Sequence, residues 1–172
     1  GNFTISNLTI NRATNNQGLF GKVAGNASLQ NITLSDVNIT GWGSTGALAG
    51  DVNGTGITVN NCDVTGTSQV SGVTSIGGLI GYCNNATITD CSITATVTGT
   101  ANYTGGLAGY VSSTDVTGCN TDVIVTGINY TGGLIGYADR TVTKTILRCT
   151  SAGEVTGENG VGGLIGITGK DL

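Results

Sequence analysis

The sequence predicts an all-β fold, a right-handed parallel β-helix (β-solenoid) of about six coils, each of roughly 29 residues with three short strands. Three observations predict it: a glycine-leucine unit that recurs in phase, a second apolar column at a near-constant distance behind it, and strand-type alternation between the two with no helical stripe.

The recurring unit is Gly77-Gly78-Leu79-Ile80-Gly81-Tyr82. It returns at Gly105-Gly106-Leu107-Ala108-Gly109-Tyr110, Gly132-Gly133-Leu134-Ile135-Gly136-Tyr137 and Gly162-Gly163-Leu164-Ile165-Gly166-Ile167, with weaker copies around Leu48 and Leu19. The leucines at 19, 48, 79, 107, 134 and 164 are separated by 29, 31, 28, 27 and 30 residues. Such a period marks a repeat architecture, read here as a single domain over residues 1–172.

The second column lies 12 to 15 residues after each leucine and holds Ile32, Cys62, Cys91, Cys119 and Cys149, with Leu8 in the first, incomplete unit. Around it apolar residues fall at i, i+3 and i+5, as in Val59, Cys62, Val64 and Ile88, Cys91, Ile93. Period two marks strands, and the single step of three marks a corner. The residue before the column is Asn7, Asn31, Asn61, Asp90 or Gly118, each a turn former, with Arg148 the exception. A third strand ends in a glycine, as in Ala95-Thr96-Val97-Thr98-Gly99 and Val123-Ile124-Val125-Thr126-Gly127, seven or eight residues before the next leucine.

A unit this short cannot bury a face alone; stacked at about 4.8 Å per coil, six units make a rod of roughly 29 Å with a continuous interior. The hand follows the usual crossover rule.

Composition narrows function. The chain has 31 glycines, no proline, histidine or methionine, 38% apolar and 9% charged residues, and a net charge of −4. No basic cluster is present to neutralise phosphates, which argues against nucleic acid. The longest apolar runs, four or five residues, cannot span a membrane. Nine Asn-x-Ser/Thr sequons, at Asn2, Asn7, Asn26, Asn31, Asn38, Asn53, Asn85, Asn102 and Asn129, are candidate glycosylation sites and suit an exported surface.

The Gly-Gly-Leu-Ile-Gly unit, the Asn/Asp-Cys corner and the Val-Thr-Gly strand together resemble the GLUG-motif repeats of large exported microbial surface proteins. That resemblance implies an extracellular or cell-surface stalk, adhesin or passenger-type segment. In some proteins such repeats accompany a zinc metallopeptidase, but its His-Glu motif needs histidine, which this chain lacks.

Cys62, Cys91, Cys119 and Cys149 are expected as stacked interior thiols, since the coil spacing exceeds the Cβ separation of a disulfide. Cys83 stands outside that column and is either exposed or paired with Cys91. Strict alternation through the recurring strand puts Leu79 on one side and Ile80 and Tyr82 on the other. It therefore predicts an outward apolar stripe of Ile80, Tyr82, Tyr110, Ile135, Tyr137, Ile165 and Ile167, a lateral contact surface. The alternative is a bulge that turns Ile and Tyr inward together.

A second copy placed after the first would put Leu164 and the next Leu19 27 residues apart, inside the observed range, so the chain is expected either to be a slice of a longer array or to stack head to tail on copies of itself.

Catalytic readings are thin. Glycoside hydrolysis needs two carboxylates across one substrate, and Asp36, Asp63, Asp90, Asp115 and Asp122 fall in different columns. No metal or cofactor site is read. The sequence thus predicts a non-enzymatic structural protein, either a self-assembling filament subunit or a stalk segment of an adhesin. The main alternative is a carbohydrate-binding module using Tyr103, Tyr130 and the outer tyrosines. An ice-binding threonine ladder (Thr40, Thr98, Thr126, Thr156) and a polysaccharide-lyase-type enzyme are further alternatives.

Overall fold

The computed structural model describes residues 2–139 and 145–169. Among them every regular element is a strand, and every strand pair is parallel. The residue after each leucine pairs with the residue after the next: Phe20 with Ala49, Ala49 with Ile80, Ile80 with Ala108, Ala108 with Ile135 and Ile135 with Ile165. The offsets between paired residues are therefore the leucine spacings themselves, and the chain is a β-solenoid of about six coils.

One coil serves for all. Ile80–Thr89 runs to a corner at Asp90, Ser92–Gly99 forms the next wall, and Asn102–Gly105 closes the coil before Leu107. The first two segments of successive coils build a sheet of 16 strands. The closing segments, Gly43–Gly46, Thr74–Gly77, Asn102–Gly105, Asn129–Gly132 and Asn159–Gly162, build a second sheet of five. In an earlier coil the corner is absorbed within one strand, Ala49–Thr65.

The corners explain the step of three. Asn7, Asn31, Asn61, Asp90, Gly118 and Arg148 all take left-handed backbone, with φ between 48° and 68°. Asparagine, aspartate and glycine tolerate that conformation. Arg148 adopts it without being a turn former, in register with the corners beneath it.

The unequal periods are local. The coil between Leu48 and Leu79 is three residues longer than the one that follows. Its extra residues lie between Asn53 and Ile57, which pair with Asn84 and Ala86, and between Val64 and Gln69, which pair with Ile93 and Thr96. It is one residue shorter between Gly72 and Ile76, which face Gly99 and Thr104. The second insertion is secured at its end by Ser68, whose hydroxyl donates to Thr65 O at 2.6 Å and accepts from Val37 N at 3.1 Å.

The core is a set of apolar columns: Leu34, Val64, Ile93; Ile39, Val70, Val97, Val125; Val59, Ile88, Val116. All are buried. Burying each such side chain contributes about 1.5–3 kcal/mol. The glycine that ends the third strand is a packing requirement. A Cβ on Gly99 would overlap the side chain of Thr104, which folds across it, and on Gly72 it would lie 2.6 Å from Cδ1 of Ile76.

Candidate interaction surface

The outward stripe does not form. Ile80 and Ile135 are 0% exposed and Tyr137 is 2% exposed. Tyr82, Tyr110 and Ile165 are half-buried, and Ile167 is 36% exposed. The reason is the turn at Gly78-Leu79, which separates the closing strand Thr74–Gly77 from Ile80–Thr89. Alternation cannot be carried through a corner, so Leu79 and Ile80 both point inward. A step of three then brings Cys83 inward as well. It lies in the column of Val23, Val52, Val111 and Ala138, buried and free, with the Thr114 hydroxyl 3.7 Å from its sulfur. Burial pushes its thiol up to about 12. Cys83 is thus neither exposed nor paired.

Between these steps the third glycine of the unit brings the two sheets together. A Cβ on Gly109 would sit 2.5 Å from Ile76 N, and on Gly136 2.6 Å from Thr104 N and 2.8 Å from Tyr103 C. Backbone touches backbone there, and the touching residues of the small sheet are left-handed: Ser44, Ser75, Tyr103 and Tyr130, with φ of 49°, 56°, 64° and 54°.

This contact gathers the tyrosines. The column through the large sheet reads Lys22, Asp51, Tyr82, Tyr110, Tyr137, Ile167. Beside it Tyr103 and Tyr130 rise from the small sheet, so all five tyrosines of the chain form one cluster. Tyr82, Tyr110 and Tyr137 stack with centroids 5.1 and 4.9 Å apart and planes within 15°. Tyr103 and Tyr130 stack at 5.7 Å. The two ladders interlock at steep angles, Tyr103 against Tyr110 at 5.4 Å and against Tyr137 at 5.2 Å. Offset-stacked and edge-to-face pairs each add about 0.5–1.5 kcal/mol beyond burial.

The polar rim is ordered too. The Tyr110 and Ser112 hydroxyls each donate to Asp139 Oδ2 at 3.3 Å, and Tyr137 donates to Gly169 O at 2.6 Å. Lys22 pairs with Asp51 at 3.2 Å. Burial first, and then the Asp51 charge, raise the Tyr82 phenol above its usual range. Asp51, Ser112 and Asp139 escaped the sequence reading, although their places could have been found by counting along the strand from the tyrosine column.

Other polar side chains link coils. Asp36, Asp63 and Asp115 accept backbone N–H from Thr67, Ser92 and Thr145 of the next coil at 2.9, 2.9 and 3.0 Å. Of the sequons, Asn2, Asn7, Asn26, Asn38, Asn53 and Asn85 are exposed, while Asn31, Asn102 and Asn129 are half-buried. Asn129 Nδ2 donates to Asn102 Oδ1 and Asn159 Nδ2 to Asn129 Oδ1, both at 2.9 Å, and Asn61 Nδ2 donates to Asn31 Oδ1 at 2.8 Å. In the threonine ladder Ser71 stands between Thr40 and Thr98, and it hydrogen-bonds Thr40 at 3.0 Å.

Comparison with known proteins gives one partial likeness. The chain is 38% identical over 93 residues to Halomucin of Haloquadratum walsbyi (strain DSM 16790 / HBSQ001), a match covering 54% of this chain and 1% of Halomucin. The chain thus spans about a hundredth of that relative's length. No known protein family matches the chain, and no solved structure matches it.

Proposed function

We propose that this chain is a non-enzymatic rod segment of an extracellular or cell-surface protein. What carries the reading is the use made of the polar side chains. Asp36, Asp63 and Asp115 tie coil to coil, as do the asparagine ladders, so these polar side chains serve the stack. The partial likeness to Halomucin is compatible with such a role. Of the two structural forms, the stalk segment is favoured because the matching region lies within a far longer protein.

The carbohydrate-binding reading is weakened by the stacking itself. A sugar needs an open aromatic face, and here the faces of Tyr110 and Tyr137 lie against neighbouring rings. Negative-stain microscopy and light scattering of the purified chain test the proposal. Short rods of one length are expected. Fibres would favour the filament subunit, and glycan-array binding abolished by Tyr103→Ala would overturn the purely structural reading.

A further inference from the structure

The corner thiols form a second ordered array, for which the structural reading gives no use. Cys62, Cys91 and Cys119 are buried, Cys149 is half-buried, and all four are free. The strands on either side fix their alignment. Thr89 pairs with Asn60 and with Thr117, Leu147 with Thr117, Ile93 with Val64, and Asn120 with both Ser92 and Thr150. Each thiol donates to the carbonyl two residues before it, those of Asn60, Thr89, Thr117 and Leu147, at 3.4, 3.2, 3.6 and 3.3 Å. One side-chain orientation is therefore repeated, and the sulfurs follow the coil spacing of about 4.8 Å.

That spacing selects a chemistry. It is too long for a disulfide, whose Cβ atoms lie about 3.8 Å apart. A row of sulfurs also cannot converge on a tetrahedral zinc ion, and among the described residues no three or more His, Cys, Asp or Glu side chains do so. Two metal–sulfur bonds of about 2.3 Å laid end to end, however, span about 4.6 Å, close to one coil step. Packing does not demand sulfur either, since Ile32 stands in register with Cys62.

We propose that the Cys62, Cys91, Cys119, Cys149 column binds soft monovalent cations of the copper(I) class, each held in line between the sulfurs of two successive coils. Thiolates select such ions over hard ones, and burial of Cys62, Cys91 and Cys119 keeps water from the inner sulfurs. In each site two S–H bonds break and two sulfur–metal bonds form: two thiols and one cation give a bis-thiolate complex of charge minus one and two protons, with no change of oxidation state. Because each sulfur serves one ion, the four thiolates hold up to two ions, one between Cys62 and Cys91 and one between Cys119 and Cys149, which leaves two negative charges on the filled column. Because protons are displaced, binding tightens as pH rises.

The test compares two double variants with equal thiol counts and different adjacency. The reduced chain is titrated anaerobically with copper(I) against the chelator bicinchoninate, and X-ray absorption reads the neighbours of the bound metal. The unmodified chain should take up two ions, each with two sulfur neighbours. Cys62→Val with Cys149→Val keeps the adjacent pair Cys91 and Cys119 and should bind one ion. Cys91→Val with Cys119→Val leaves no adjacent pair and should bind none, while Cys83→Val should bind as the unmodified chain does. Equal uptake by the two double variants, or no uptake by the unmodified chain, would overturn the proposal. Should the variant lacking Cys91 and Cys119 fail to fold, the other decides alone: one ion with two sulfur neighbours supports the site, and none, or other ligands, rejects it.

Discussion

Two columns of the solenoid demand the same backbone and are filled in different ways. At the corners, Asn7, Asn31, Asn61, Asp90 and Gly118 are residues that enter the left-handed region readily. On the small sheet the corresponding column runs Asn16, Ser44, Ser75, Tyr103, Tyr130, Gly160, with φ between 49° and 64°. Two of its members are bulky aromatics, for which this conformation costs about 1–2 kcal/mol. The corners show what geometry alone selects. Tyr103 and Tyr130 show strain offset by ring packing, and strain held in this way is a pointer to function.

The firmest way to break this comparison is to push the two sheets apart. Gly136→Ala would place a Cβ 2.6 Å from Thr104 N and 2.7 Å from Gly109 O, both backbone atoms that cannot swing aside. We expect a loss of about 3 kcal/mol, at the upper end for overpacking. Gly43→Ala, whose nearest neighbour is the tip of the Asn15 side chain at 3.1 Å, should stay within about 0.5 kcal/mol. Urea denaturation of both variants checks this. Equal stability would mean that the backbone contact does not hold the tyrosine ladders in place.

A sharper test separates strain from packing at Tyr103. Replacing it by alanine removes the contacts with Tyr110, Tyr130 and Tyr137 but keeps a Cβ in the left-handed conformation. A loss of about 2 kcal/mol is expected. Tyr103→Gly removes the same ring and relieves the backbone, so it should be about 1 kcal/mol more stable than the alanine variant. In an ordinary strand the order is reversed. Finding alanine the more stable would show that Tyr103 carries no strain.

The columns were legible in the sequence because stacking makes them periodic: leucine lies over leucine, and the corner residues are recognisable turn formers. The inward turn of Ile80 was not legible. Period-two alternation holds only within one strand, and nothing in Gly77-Gly78-Leu79-Ile80 marks where one strand ends and the next begins. Cys83 was misplaced for the same reason, since its side is set by a step of three counted from Ile80. Nor could spacing alone bring Tyr103 and Tyr110 into edge contact, because they belong to different sheets. That meeting depends on Gly109 and Gly136, whose missing side chains act across the coil and not along the strand.

Arg148 offers the mildest test, on the corner side of the comparison. It is the sixth corner residue and takes φ of 52°, where the other coils place Asn, Asp or Gly. If stacking imposes the corner whatever the residue, Arg148→Asn keeps the fold and recovers part of the left-handed cost, a gain of about 1 kcal/mol. The same asparagine is already present at Asn61 with φ of 48°, so Asn61→Arg should lose a similar amount. Paired thermal melts read both changes. Opposite shifts of similar size would establish that the corner is one geometry repeated, whereas a stabilising Asn61→Arg would show that each corner is set by its own neighbours.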